Sequence, residues 1–212
     1  MKETTKTKNQ NNTELIFILD RSGSMGGLET ETINGYNSVV KKQTEECENL
    51  KVTTVLFDNQ IDKIYDGVSG KDAMLNDKQY FVRGSTALLD AVCVTIKEVE
   101  NRHKKMTVSK RPKKVIVAIT TDGYENSSKE YDYPKTKELI KTKQENGWEF
   151  LFMAANIDEK LVGREMGISK NACYKFSSSS EGIERVSCFL SKKLSSMIRE
   201  DKTKNLNKKG SQ

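Results

Sequence analysis

Four short runs, LIFIL (15–19), VTTVLF (52–57), VIVAIT (115–120) and WEFLFMAA (148–155), constrain the fold more than any other feature of the chain. LIFIL is apolar throughout and flanked by polar residues, the pattern of a central strand covered on both faces. Amphipathic segments separate the runs. Glu29 to Glu48 places Ile33, Tyr36, Val39 and Val40 at helical spacing, and ALLDAVCVTIKEVENR lines Leu88, Leu89, Val92, Ile96 and Val99 along one stripe. Pro134 opens a further helix to about Asn146, and helices are expected over 159–166 and from Glu181 to about Met197. A polar turn at Asp58-Asn59-Gln60 into IDKIY (61–65) predicts a hairpin to an edge strand, and 174–176 a weak last strand. Six strands and about six helices predict an α/β, doubly wound, mostly parallel sheet with one antiparallel edge strand and helices on both faces, a Rossmann-like architecture.

The 212 residues fit one domain. Residues 1–13 and 200–212 are polar and lysine-rich and are expected to be flexible arms around an ordered domain at 14–199. No run approaches the roughly 18 apolar residues of a membrane helix, and the first residues lack the apolar core of a signal peptide, so a soluble, cytoplasmic protein is expected. Cys47, Cys93, Cys173 and Cys188 are far apart, with no CxxC pair, and are expected to be reduced, packed thiols. The formal charge is +6, yet RHKKMTVSKRPKK (102–114) alone holds seven Lys or Arg and no acid. The remaining residues therefore sum to about −1, a local basic patch on a nearly neutral chain.

LIFIL ends in Asp20, followed at alternate positions by Ser22 and Ser24. Ligands of an open parallel sheet bind where loops leave the carboxyl ends of its strands. Thr86, at the mouth of the second helix, and Asp122, at the end of VIVAIT, have their oxygens on the same edge. Two carboxylates and three hydroxyls with no imidazole or thiolate suit Mg²⁺, Mn²⁺ or Ca²⁺ and disfavour zinc.

D-x-S-x-S after a central apolar strand, the threonine of G-S-T-A-L-L-D-A and a later T-D-G resemble the von Willebrand factor A (VWA) domain and its metal-ion-dependent adhesion site, MIDAS. The resemblance spans roughly Glu14 to Ser196, and all five motif positions are filled. It implies that Ser22, Ser24 and Thr86 contact the ion directly, and Asp20 and Asp122 directly or through water. It also implies an Asp or Glu of a partner protein as the remaining ligand, and recognition in place of catalysis. The absence of a signal peptide, disulfides and a membrane anchor makes the chain more similar to the intracellular bacterial members than to the secreted adhesive ones.

Arg21, Tyr124, Glu125 and Asn126 are candidates for a partner-binding rim. The 102–114 stretch is expected at the opposite end of the sheet, where an acidic protein or a nucleic acid could dock. A nucleic-acid-associated protein is thus the alternative function, and a metal-dependent hydrolase a weaker one. Asp20 stands where haloacid-dehalogenase-type enzymes hold a nucleophile, but their second aspartate is here Ser22. No G-x-S-x-G, phosphate loop or G-x-G-x-x-G occurs, and the sole histidine, His103, lies in the basic stretch.

Overall fold

The computed structural model describes residues 12–209, with side chains through Arg199. Strand β1 (Thr13–Asp20) is the centre of a six-stranded sheet of order β3-β2-β1-β4-β5-β6. It pairs in parallel with β2 (Leu50–Phe57) and β4 (Lys114–Thr121), setting Leu15 between Val52 and Ile116. β4 pairs in parallel with β5 (Trp148–Ala154), and β5 with the short β6 (Cys173–Lys175). β3 (Ile61–Ser69) runs antiparallel to β2 as the expected edge hairpin, four residues longer than IDKIY, with register shifts around Thr54.

Every residue of β1 is buried, as an apolar run flanked by two parallel neighbours requires. Its side chains divide by parity. Leu15, Phe17 and Leu19 pack with α1 (Glu29–Glu46) and α5 (Ser180–Lys209) on one face. Ile16 and Ile18 pack with α2 (Leu88–Lys105), α3 (Tyr133–Glu145) and α4 (Glu159–Glu165) on the other. Five α-helices are present among the described residues, one fewer than the sequence pattern predicts.

The arm expected over 1–13 falls outside the described residues through residue 11, but Thr13 already belongs to β1. The tail expected from residue 200 is helical backbone as far as Lys209, with 210–212 outside the described residues. Cys47, Cys93 and Cys173 are buried free thiols as expected, and burial pushes Cys93 and Cys173 up to about 11. Cys188 departs from expectation and is exposed.

The basic stretch is divided by the fold. Arg102 and His103 sit in the last turn of α2 and reach Glu14, a fully buried carboxylate near the start of β1. Lys114 opens β4 and pairs with Glu149 at 2.6 Å. The two ends of the stretch are therefore structural, and His103 belongs to a helix. Because β2 and β4 flank β1, the strand order reverses direction at β1, and the crevice there is where three loops meet.

Candidate metal centre

Asp20 is the last residue of β1, and the chain turns at once into a 3₁₀ turn over Gly23–Met25. The turn is fixed from both sides. Ser22 N–H donates to Asp20 Oδ1 at 2.7 Å, and Met25 is driven into the core at 1% exposure. Asp20 and Ser22 are buried, whereas Ser24 is exposed, so the loop presents its outer hydroxyl to solvent.

A strap formed by residues 80–86 makes the second wall. Tyr80 Oη donates to the Asp20 carbonyl at 2.6 Å, Arg83 N–H to the Arg21 carbonyl at 2.9 Å, and Gly23 N–H to the Gly84 carbonyl at 3.0 Å. Gly84 adopts φ +68°, a conformation in which a side chain is strained, and a Cβ there would also displace Asn59 Oδ1, 2.1 Å away, so glycine suits the strap at this position. It delivers Thr86, whose N–H donates to Asn126 Oδ1 at 2.9 Å while its carbonyl accepts from Asn126 N–H at 3.0 Å.

Asp122 follows the end of β4 and completes the arrangement. Ser24 Oγ donates to Asp122 Oδ1 at 2.5 Å, and Ser22 Oγ lies 3.2 Å from Ser24 Oγ. A Cβ built on Gly123 would lie 3.5 Å from both Ser24 Oγ and Thr86 Oγ1, so both hydroxyls lie within ordinary contact of one point. All five oxygen-bearing residues named from the sequence thus meet at the carboxyl edge of the sheet, from three separate loops.

Two further residues belong to the site. Thr121 Oγ1 donates to Asp20 Oδ2 at 2.5 Å, and Ser178 Oγ donates to Asp122 Oδ2 at 3.3 Å. Thr121 was visible as the first residue of the T-D-G motif. Ser178 lies in the run SSSS (177–180), which holds no signal of its own.

The four rim candidates separate. Tyr124 is exposed, 57%. Glu125 turns inward, accepting from Leu89 N–H at the start of α2 and from the N–H groups of Ser127 and Ser128. Asn126 holds Thr86 through its side chain. Arg21 is neither on the rim nor solvated, at 1% exposure, because Asp58 at the end of β2 draws its guanidinium inward. Asp58 Oδ2 accepts from Arg21 Nε at 2.8 Å and Arg83 Nε at 2.7 Å, Asp62 accepts from both arginines as well, and Phe81 lies against the two guanidiniums. The Asp58 carbonyl also accepts from Ala87 N–H at 2.9 Å. One buried carboxylate therefore ties the Ser22 loop to the Thr86 loop.

Burial pushes the Asp20 carboxyl above its ordinary value against the pull of hydrogen bonds from Thr121 and Ser22, and the Asp122 charge pushes it the same way as burial. A cation beside the two carboxylates would relieve both upward pressures. The donor set fits such an ion. Octahedral ligands at 2.0–2.1 Å from Mg²⁺ lie about 2.9 Å apart along an edge, a spacing bracketed by the 2.5 Å and 3.2 Å separations around Ser24. Among the described residues no three His, Cys, Asp or Glu side chains gather for a metal, this edge with its two carboxylates included, so hydroxyls would have to complete the set.

No family model matches the chain, and no curated protein matches it in sequence. Solved structures match in fold. Proximal thread matrix protein 1 from the mussel byssus, with a zinc-occupied MIDAS motif, gives a TM-score of 0.61 at 13% identity over 89% of this chain and 47% of that one. The vWF domain of the type V pili tip protein Mfa5 from Porphyromonas gingivalis gives 0.59 at 9% identity over 85% and 95%. The SpRpn10 VWA domain gives 0.54 at 10% identity over 82% and 92%. The chain spans about half the length of the mussel protein and most of the two separate domains. Its fold is the von Willebrand factor A fold, and no described helix is long and apolar enough to cross a membrane.

Proposed function

We propose that the chain is a cytoplasmic VWA domain of the intracellular bacterial type with an intact MIDAS, and that it works as a metal-dependent protein-binding module. Ser22, Ser24 and Thr86 would hold the ion with Asp20 and Asp122. Mg²⁺ is the preferred occupant, with Mn²⁺ and Ca²⁺ as substitutes. Bound there, the ion supplies a positive centre that accepts one Asp or Glu carboxylate from a partner protein. The observation that carries this reading is the convergence of Ser24 Oγ on Asp122 Oδ1 and, with Thr86 Oγ1, on the space over Gly123.

The chain's own groups set the site up before any ion arrives. Thr121 and Ser22 orient Asp20 through both of its oxygens, Ser178 steadies Asp122, and Asp58 fixes the two loops against each other. Hydrolysis is disfavoured because His103 is bound to Glu14 at the amino end of the sheet, leaving no imidazole to activate either serine. The zinc-occupied MIDAS of the mussel protein supports a divalent ion at such a site.

Calorimetry with Mg²⁺ and Mn²⁺ tests the reading, first alone and then with acetate as a minimal carboxylate. Saturable binding is expected in the wild type, strengthened by acetate and lost in Asp122→Ala and Thr86→Ala proteins that still melt cooperatively. A folded wild type that binds neither ion would refute it.

A further inference from the structure

One end of the sheet carries a dense basic loop. The loop over 106–113 lies at the amino end of the sheet, opposite the metal centre, because α2 starts beside Thr86 and β4 begins at Lys114. Three of the seven cations in the basic stretch are paired: Arg102 with Glu14 and Asp66, Lys104 with Glu100 at 3.2 Å, and Lys114 with Glu149. Lys105, Lys110, Arg111 and Lys113 are exposed, and among the described residues no carboxylate pairs with them.

The loop is a folded knob. Arg111 turns back on α2, donating through Nε to the Met106 carbonyl at 3.1 Å and through Nη2 to the Lys104 carbonyl at 3.2 Å. A 3₁₀ turn over Val108–Lys110 closes it. Three ammonium groups, those of Lys105, Lys110 and Lys113, are left to solvent.

The residue before β1 and the far part of α5 lie at the same end. The carbonyl of Asn12 accepts from Lys113 N–H at 2.8 Å, and Lys2, Lys6 and Lys8 precede it in the chain. α5 travels from Glu31, at the start of α1, to Glu46, at its end, where Arg199 pairs at 3.1 Å. Its backbone then continues to Lys209 through a sequence holding Lys202, Lys204, Lys208 and Lys209. Residues 105–113 alone carry +4 of the chain's formal +6.

We propose that the 105–113 knob docks on the phosphate backbone of double-stranded nucleic acid without reading its sequence. Lysine ammonium groups are point charges suited to phosphates, and the one guanidinium that could fork onto a base is committed to carbonyls. Of the large exposed apolar side chains only Val108 belongs to the knob. Single strands would lack an aromatic platform on which to stack, and a lipid surface would lack an apolar face to insert.

The test is anisotropy of a labelled 20-base-pair duplex with the full chain in chelator, between 50 and 200 mM salt. Four loop cations give a log–log salt slope of at least about −3.6, an affinity loss of about 150-fold over that range. The combined variant Lys105→Gln, Lys110→Gln, Lys113→Gln should melt like wild type and have a slope shallower by about 2.7. Asp122→Ala should bind the duplex as wild type does. Failure of the wild type to bind would overturn the proposal, as would a variant with an unchanged slope, binding that requires Mn²⁺, or stronger retention on phosphatidylserine vesicles than on duplex.

Discussion

Arg21 Nε donates to Asp58 Oδ2 at 2.8 Å, with the two side chains 1% and 0% exposed. The pair connects the loop after β1 to the end of β2, and Arg83 brings the strap to the same carboxylate oxygen. Buried ion pairs contribute little net stability when whole and cost much when half is removed. The value of this one is geometric: it sets Ser22 and Ser24 at a fixed distance from Thr86.

Asp58→Ala should therefore lose at most about 3–5 kcal/mol of stability, since it leaves the buried Arg21 guanidinium with the half-exposed Asp62 as its remaining carboxylate. Urea denaturation measures the loss, and Mn²⁺ calorimetry on the folded fraction should show weakened affinity. Wild-type affinity in Asp58→Ala would mean that the two loops hold their spacing without it.

Thr121 gives a milder test of the same edge. Thr121→Val keeps the shape of the side chain and removes the hydroxyl that donates to Asp20 Oδ2, leaving a buried carboxylate oxygen short of a donor. A loss of about 1–3 kcal/mol is expected. Saturating Mn²⁺ should recover part of it, because a ligand at 100 times its Kd stabilises by about 2.7 kcal/mol. A loss that Mn²⁺ leaves untouched would detach Thr121 from the site.

The sheet and the meeting of five oxygen-bearing residues at its edge were legible because they rest on local pattern. A buried parallel strand must be apolar, as LIFIL and VIVAIT are, and the loop that follows it must carry whatever the edge binds. Arg21 was misread as a rim residue because its partner Asp58 is 37 residues away and nothing local distinguishes a solvated arginine from one drawn inward. Glu14 was likewise hidden. A carboxylate at the head of an apolar run reads as a boundary, and its burial depends on Arg102 and His103 arriving from the last turn of α2. Glu125 and Asn126 looked like rim residues because they follow Asp122, yet their side chains close backbone donors of α2 and Thr86.

Glu14 sets a pH dependence. Burial alone would raise its carboxyl, but hydrogen bonds from His103, Arg102 and Thr53 with the Arg102 charge outweigh burial and hold it below its ordinary 4.5. The unfolded chain then binds the proton first on acidification, so the stabilisation is present above about pH 4.5 and is lost as pH falls through the lower folded value. Wild type should be more stable than Glu14→Gln at neutral pH, and the two should converge in acid. Parallel stability profiles from pH 7 to pH 3 would show that Glu14 is not held by its partners in this way.

Gly182 joins the start of α5 to the metal edge. A Cβ there would lie 1.9 Å from the Ser177 carbonyl oxygen and 2.7 Å from its carbonyl carbon, contacts with backbone that no rotamer change can relieve. The turn over 177–180 must move to admit it, and that turn carries Ser178 to Asp122 Oδ2. Gly182→Ala should therefore lose about 1–3 kcal/mol to overpacking despite the better helix propensity of alanine. Ser178→Ala, which removes the hydroxyl without moving the turn, separates the two effects. Should both variants shift Mn²⁺ affinity alike, the hydrogen bond to Asp122 is what the turn contributes to the site. A shift in Gly182→Ala alone would locate the contribution in the position of the turn itself.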